Sequence, residues 1–165
     1  MPANALDYVT IKGFKSIASL EKLELRPVNI LIGPNGSGKS NFIGAFSFLH
    51  AIREGRLQEY VTSAGGSEKL LHLGSKTTKE ISFHLSFLNQ VNQYELKLSP
   101  TEDDSLFPSA ETAYYWKKSY PRPYSEDLPP QQRRLHLLVR TFADQFPVDL
   151  AGVIVGLASL HLIRW

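Results

Sequence analysis

The stretch LIGPNGSGKS, residues 31–40, constrains this chain more than any other. Gly33, Gly38, Lys39 and Ser40 satisfy the spacing G-x-x-x-x-G-K-[ST], the Walker A pattern. Each residue type has a physical reason to be there. Glycines let the backbone turn where a Cβ would clash, so successive N–H groups can converge on one anion. A helix opening at Lys39 would aim its positive end at the same point. The lysine adds a point charge for the β- and γ-phosphates, and the Ser40 hydroxyl is a ligand for Mg²⁺. The competing reading is a glycine-rich strand-to-helix turn with an incidental lysine.

The flanks decide between these readings, because the pattern carries weight only after a strand and before a helix. VNILI (28–32) is a short apolar run ahead of the glycines and reads as a buried strand. Phe42, Phe46 and Leu49 follow at i, i+4 and i+7, beside Ile43, Ala45 and Ile52, which predicts an amphipathic helix from Lys39. Gly55 supplies its stop. Upstream, YVTIKGF (8–14) and SLEKLEL (19–25) read as strands. Downstream, EISFHLSF (80–87) and QYELKLS (93–99) alternate apolar and polar residues and predict an antiparallel hairpin around NQVNQ. AYYWKKSY (113–120) could add a third strand. PRPYSEDLPPQQRR (121–134) reads as loop or linker.

Composition narrows the class. The 165 residues suffice for one domain with a core. There is no cysteine, which excludes disulfides and Cys-ligated zinc and suits a reducing, cytoplasmic setting. A formal net charge of +2 does not by itself argue for nucleic acid. LAGVIVGLASLHLI (150–163) is the longest uncharged apolar stretch and is short of the roughly 20 residues a spanning helix needs. The N-terminus shows no signal-peptide pattern, so no membrane is expected. The histidines show no metal spacing, and His84, on the polar side of its strand, reads as solvated. YYWKKSYPRPY (114–124) interleaves aromatics with cations and could stack single-stranded nucleic acid. The preferred reading is an edge strand with its aromatic face on the core and lysines as edge protection.

The segment YVTIKGFKSIASLEKLELRPVNILIGPNGSGKSNFIGAFSFL resembles the N-terminus of the SMC/RecF-type branch of ABC ATPases, and in particular bacterial predicted AAA-family ATPases of the AAA_21/AAA_15 type. The shared features are a first strand, GFKS, a β-hairpin, then the phosphate loop and a helix. The likeness is close over about the first 50 residues and looser to about residue 125. It implies an α/β fold: a P-loop NTPase, specifically an ABC-ATPase-like N-terminal lobe with an antiparallel β subdomain over 1–125, and a linker and tail over 126–165. It further implies ATP and Mg²⁺ as cofactors, a homodimer or a second ATPase lobe as partner, and DNA as a target in repair, chromosome maintenance or defence. On this chain Asn35, Gly36, Ser37, Gly38, Lys39, Ser40 and Asn41 would line the phosphate site with Gly33. Lys15 and Ser16 would sit at the nucleotide edge, unless Lys12 and Lys15 are simply two solvated lysines beside a turn.

The departures from that family are equally definite. A complete head carries a signature loop, a Walker B strand ending in Asp-Glu, and a switch histidine. TSAGGSEKL (62–70) follows the Walker A by one helix, too early for a signature, and reads as a structural loop. LSPTEDDSL (98–106) offers Glu102, Asp103 and Asp104 after an alternating rather than apolar strand, and reads as a solvated hairpin turn. GVIVG (152–156) is apolar but ends without an acid. No catalytic residue is identified. Two expectations stand: an ATP-binding lobe that needs other elements for hydrolysis, or a non-catalytic truncated fragment or interaction module whose Walker A is vestigial.

Overall fold

The computed structural model describes residues 6–117 and 119–128. GVIVG, the apolar stretch at 150–163 and most of the tail expected over 126–165 lie outside the described residues. Six strands form one antiparallel sheet in the order β2-β1-β3-β4-β5-β6. They are β1 (Leu6–Phe14), β2 (Ile17–Glu24), β3 (Ile81–Phe87), β4 (Asn92–Pro100), β5 (Leu106–Tyr115) and β6 (Tyr124–Asp127). Three helices lie between β2 and β3: α1 (Lys39–Arg53), α2 (Leu57–Ala64) and α3 (Ser67–Leu70).

The period-2 pattern explains the sheet. Ile81, Phe83, Leu85 and Phe87 of β3 all face inward, as do Tyr94, Leu96 and Leu98 of β4 and Val9 and Ile11 of β1. The α1 residues Ala45, Phe48, Leu49 and Ile52 form the opposite wall of the same core, with Val61 of α2 and Leu70 of α3. Phe14, Phe48 and Phe83 meet at its centre, with ring centroids 5.4 to 6.0 Å apart. Phe14 is the last residue of β1, so the core pins the turn that follows it.

Three expectations need correction. VNILI (28–32) is not a buried strand: Val28, Ile30 and Ile32 are 72%, 78% and 90% exposed, and the segment has no regular structure. The reason lies in the pairing. An apolar run is buried as a strand only between neighbours, and among the described residues none of the six strands pairs with 28–32. The chain leaves the sheet where the Leu25 amide donates to Asp7 O, and Asn29 then closes a local turn on Arg26. Next, the third strand of the β3–β4 hairpin is 106–115 rather than 113–120, and the expected linker contains β6, so the sheet continues to Asp127. Finally, His84 is half-buried. It stacks on Tyr8 with centroids 5.8 Å apart, and its Nε2 lies 2.9 Å from Gln93 Oε1.

One buried carboxyl marks the far side of the core. Tyr94 donates its hydroxyl hydrogen bond to Glu111 Oε1 at 2.6 Å, and Glu111 is almost fully buried. Burial pushes the Glu111 carboxyl above the usual carboxylate range, only partly offset by the Tyr94 bond. The native state therefore holds this proton to higher pH than the unfolded chain does. Stability from this group is present at acid pH and falls as pH rises through the raised native value. Glu111→Gln keeps an acceptor for Tyr94 and never ionises. Urea unfolding should show the wild type losing stability relative to the variant as pH rises from about 4 to neutral. Parallel profiles would refute this.

Candidate phosphate-binding site

Between the exposed segment and α1 the chain makes a tight glycine loop. Gly36 and Gly38 take φ values of +82° and +89°, where a side chain would strain the backbone. A Cβ on Gly33 would come within 2.9 Å of Ser37 Oγ, so the loop closes tightly on this residue. The Ser37 amide donates to Pro34 O at 3.3 Å. Lys39 folds back over the loop. Its Nζ donates to Gly33 O and Pro34 O, both at 2.7 Å, and to Ser37 Oγ at 3.2 Å. One ammonium group is thus held over the ring of backbone that the glycines bend.

The helix behind this loop begins without a side-chain cap. Gly38 stands at its N-terminus, no side chain bonds the first-turn amides there, and the first turn carries no acid. Uncapped amides and the helix dipole together favour an anion at this end. Ser40 lies exposed in the first turn. Among the described residues no group of three or more His, Asp or Glu side chains could hold a metal ion. A Mg²⁺ ion commonly takes most of its ligands from water and phosphate oxygens. The exposed Ser40 hydroxyl is an oxygen donor of the kind such an ion takes.

The GFKS turn lies against the same helix end. Asn41 Nδ2 donates to Ser16 Oγ at 2.7 Å, and a Cβ on Gly38 would meet Ser16 Oγ at 3.1 Å. Lys15, in left-handed conformation at φ +48°, is bound on both sides: its amide donates to Leu70 O at 2.7 Å and its carbonyl accepts from His72 Nδ1 at 2.8 Å. A carbonyl only accepts, so this bond selects the Nδ1–H tautomer. A cleft of about 520 Å³ opens beside the turn, lined by Lys15, Asn41, Ala64, Glu68, Lys69 and Leu73. A second cleft, about 420 Å³, lies on the outer face of the sheet. There Lys12 pairs with Glu21 at 2.7 Å and Lys97 lies between Glu80 and Glu95, so its charges are already matched.

The structure therefore brings Gly33 through Asn41 into one loop and joins Lys15 to it through Ser16. Lys12 points to Glu21 instead, on the outer face. Of the acids of 102–104, Asp103 bonds Thr101 and Asp104 bonds the start of α3. Two contacts were invisible in the sequence, Asn41 to Ser16 and His72 to Lys15, because neither pair has a motif spacing. Of these residues, Lys15 and Ser16 do lie in GFKS, which the resemblance singles out.

Comparison with known proteins agrees with this geometry. Over 69 residues, 38% of this chain and 6% of the relative, the chain is 35% identical to the chromosome partition protein Smc of Mycolicibacterium paratuberculosis. Over 96 residues, 57% of this chain and 25% of the relative, it is 30% identical to the DNA replication and repair protein RecF of Magnetococcus marinus. Over 45 residues, 27% of this chain and 4% of the relative, it is 49% identical to the Smc of Desulfitobacterium hafniense. The chain thus spans a quarter or less of the length of these relatives. A family model described as an AAA domain, putative AbiEii toxin, type IV TA system, matches residues 28–145, most of the chain and all of the phosphate loop. The chain belongs to that AAA-domain family, AAA_21, and its likeness to RecF and Smc makes it kin to the SMC/RecF-type ATPases.

Proposed function

We propose that this chain is an ATP-binding lobe of an SMC/RecF-like ATPase, of the ABC type, that works with DNA. The observation that carries the reading is the Lys39 ammonium, fixed by Gly33 O and Pro34 O over a glycine loop that opens an uncapped helix. Residues Gly33 and Asn35 to Asn41 would cradle the phosphates, with Lys39 on the β- and γ-oxygens and Ser40 on Mg²⁺. Lys15 would face the nucleotide edge from the cleft beside it. DNA repair or chromosome maintenance is the setting the relatives' names support, with defence against foreign DNA as a further setting of the same kind of ATPase. The lack of cysteine fits a cytoplasmic location. Among the described residues no helix is long and apolar enough to cross a membrane.

A phosphate-directed site ranks nucleotides by their phosphates. Calorimetric titration should give ATP and ADP at least about tenfold tighter binding than AMP, the worth of one charged hydrogen bond. AMP binding as tightly as ATP would contradict the reading. Hydrolysis is a separate matter. No residue described here is placed to orient an attacking water, so a phosphate-release assay on the chain alone should stay at background. Turnover would require a Walker B strand and signature loop supplied by a second lobe.

A second reading has its own observation. Val28, Ile30, Leu31 and Ile32 make a continuous exposed apolar strip, the kind of surface that marks a packing face. On that reading the chain is an interaction module or truncated fragment and its Walker A is vestigial. The same titration separates the two, since a vestigial loop would show no preference for phosphates.

A further inference from the structure

Asp104 sits at the tip of the β4–β5 hairpin, in left-handed conformation at φ +60°. Its side chain does not simply face water. Oδ1 accepts from Ser67 Oγ at 2.7 Å and from the Glu68 amide at 3.0 Å, while its carbonyl accepts from the Ser67 amide at 2.9 Å. Room is reserved for it: a Cβ on Gly66 would lie 1.8 Å from Asp104 Oδ2. The hairpin tip therefore caps the first residues of α3 from another part of the chain. The neighbouring Asp103 bonds only Thr101 within the tip.

The other end of α3 holds the GFKS turn. Leu70 O takes the Lys15 amide, the His72 amide donates to Gly13 O at 2.9 Å, and His72 Nδ1 donates to Lys15 O. Ser16, next along, accepts from Asn41 in the first turn of the phosphate-loop helix. Hydrogen bonds joined by short stretches of backbone thus lead from Asp104 to Ser67 and Glu68, along α3 to Leu70 and His72, to the Lys15–Ser16 turn, and on to Asn41.

Resting on the nucleotide-binding reading above, we propose that Asp104 is a positioning residue for the nucleotide site, acting through α3 to hold the Lys15–Ser16 turn against the phosphate loop. Among the described residues no hydrogen bond or ion pair joins the hairpin tip to the loop itself. Its effect on nucleotide is carried by a short helix clamped at both ends, and linkage makes that effect reciprocal. Nucleotide seated in the loop tightens the cap that Asp104 provides.

The test is a set of titrations with a fluorescent ATP analogue and Mg²⁺ on wild type, Asp104→Ala, Asp104→Asn, Asn41→Ala and the Asp104→Ala/Asn41→Ala double variant. Asp104→Ala should weaken binding about five- to tenfold, a coupling of ordinary size. Asp104→Asn keeps the acceptor and should recover most of the affinity. The double variant should be no weaker than Asn41→Ala, because both act on one path. A cap that only stabilised the fold would give two losses that multiply, and that result overturns the proposal. So does an Asp104→Ala variant that binds like wild type. Should Asp104→Ala fail to fold, hydrogen exchange on the wild type decides. Nucleotide should slow exchange at the Ser67 and Glu68 amides, and unchanged rates there overturn the proposal. A wild type that binds no nucleotide removes the parent reading and this inference together, which is distinct from binding that ignores Asp104.

Discussion

Lys39→Ala should lose ATP binding by about ten- to a hundredfold while leaving the fold intact. The loss has two sources. The ammonium is the one side-chain cation held over the loop, and a hydrogen bond to a charged group is worth about 1.5–3 kcal/mol. It also ties the loop to itself through Gly33 O, Pro34 O and Ser37 Oγ. Without it the loop loses three internal bonds and must be ordered by the ligand. The fold should survive because Lys39 lies outside the core, at the start of α1. Lys39→Arg should rescue poorly, since a planar fork does not replace a compact point charge in a loop this tight. Binding by Lys39→Ala within about twofold of wild type would mean the loop does not hold phosphate.

Phe48→Ala should have the largest effect on stability, about 3–5 kcal/mol, with a fall in Tm of about 10–20 °C. Phe48 is fully buried and touches three other rings: Phe14, Phe83 and Tyr60. Phe14 and Phe83 sit on β1 and β3, and Tyr60 sits on α2, so the hole left behind has walls from two layers that cannot close together. Domains are commonly stable by only about 5–15 kcal/mol. The variant should therefore stand near its unfolding threshold at physiological temperature. Thermal denaturation followed by circular dichroism measures this directly. A Tm within a few degrees of wild type would show that α1 is not packed on the sheet as described.

What the sequence disclosed follows the strength of local constraints. The glycine loop was legible because Gly36 and Gly38 take left-handed backbone conformations that side chains rarely adopt. The β3–β4 hairpin was legible because period 2 allows one register to bury Ile81, Phe83, Leu85 and Phe87 together. VNILI misled for the opposite reason. Composition marks it as a strand, but a strand is buried by its neighbours, and they are not encoded in those five residues. α2 and α3 were missed because their ends are set from afar: Gln58 bonds Leu106 O, and Asp104 caps α3 across 36 positions of sequence. The same non-locality hid Asn41–Ser16, which fastens GFKS to the helix of the phosphate loop, and His72–Lys15, which fastens it to the end of α3.

The central claim is that residues 33–41 hold the phosphates of a Mg²⁺-nucleotide. An equilibrium titration of the folded wild-type chain with a fluorescent ATP analogue tests it most directly. The account predicts saturable one-to-one binding that weakens when Mg²⁺ is chelated. Absence of saturable binding by a chain whose circular dichroism shows it folded would contradict the account.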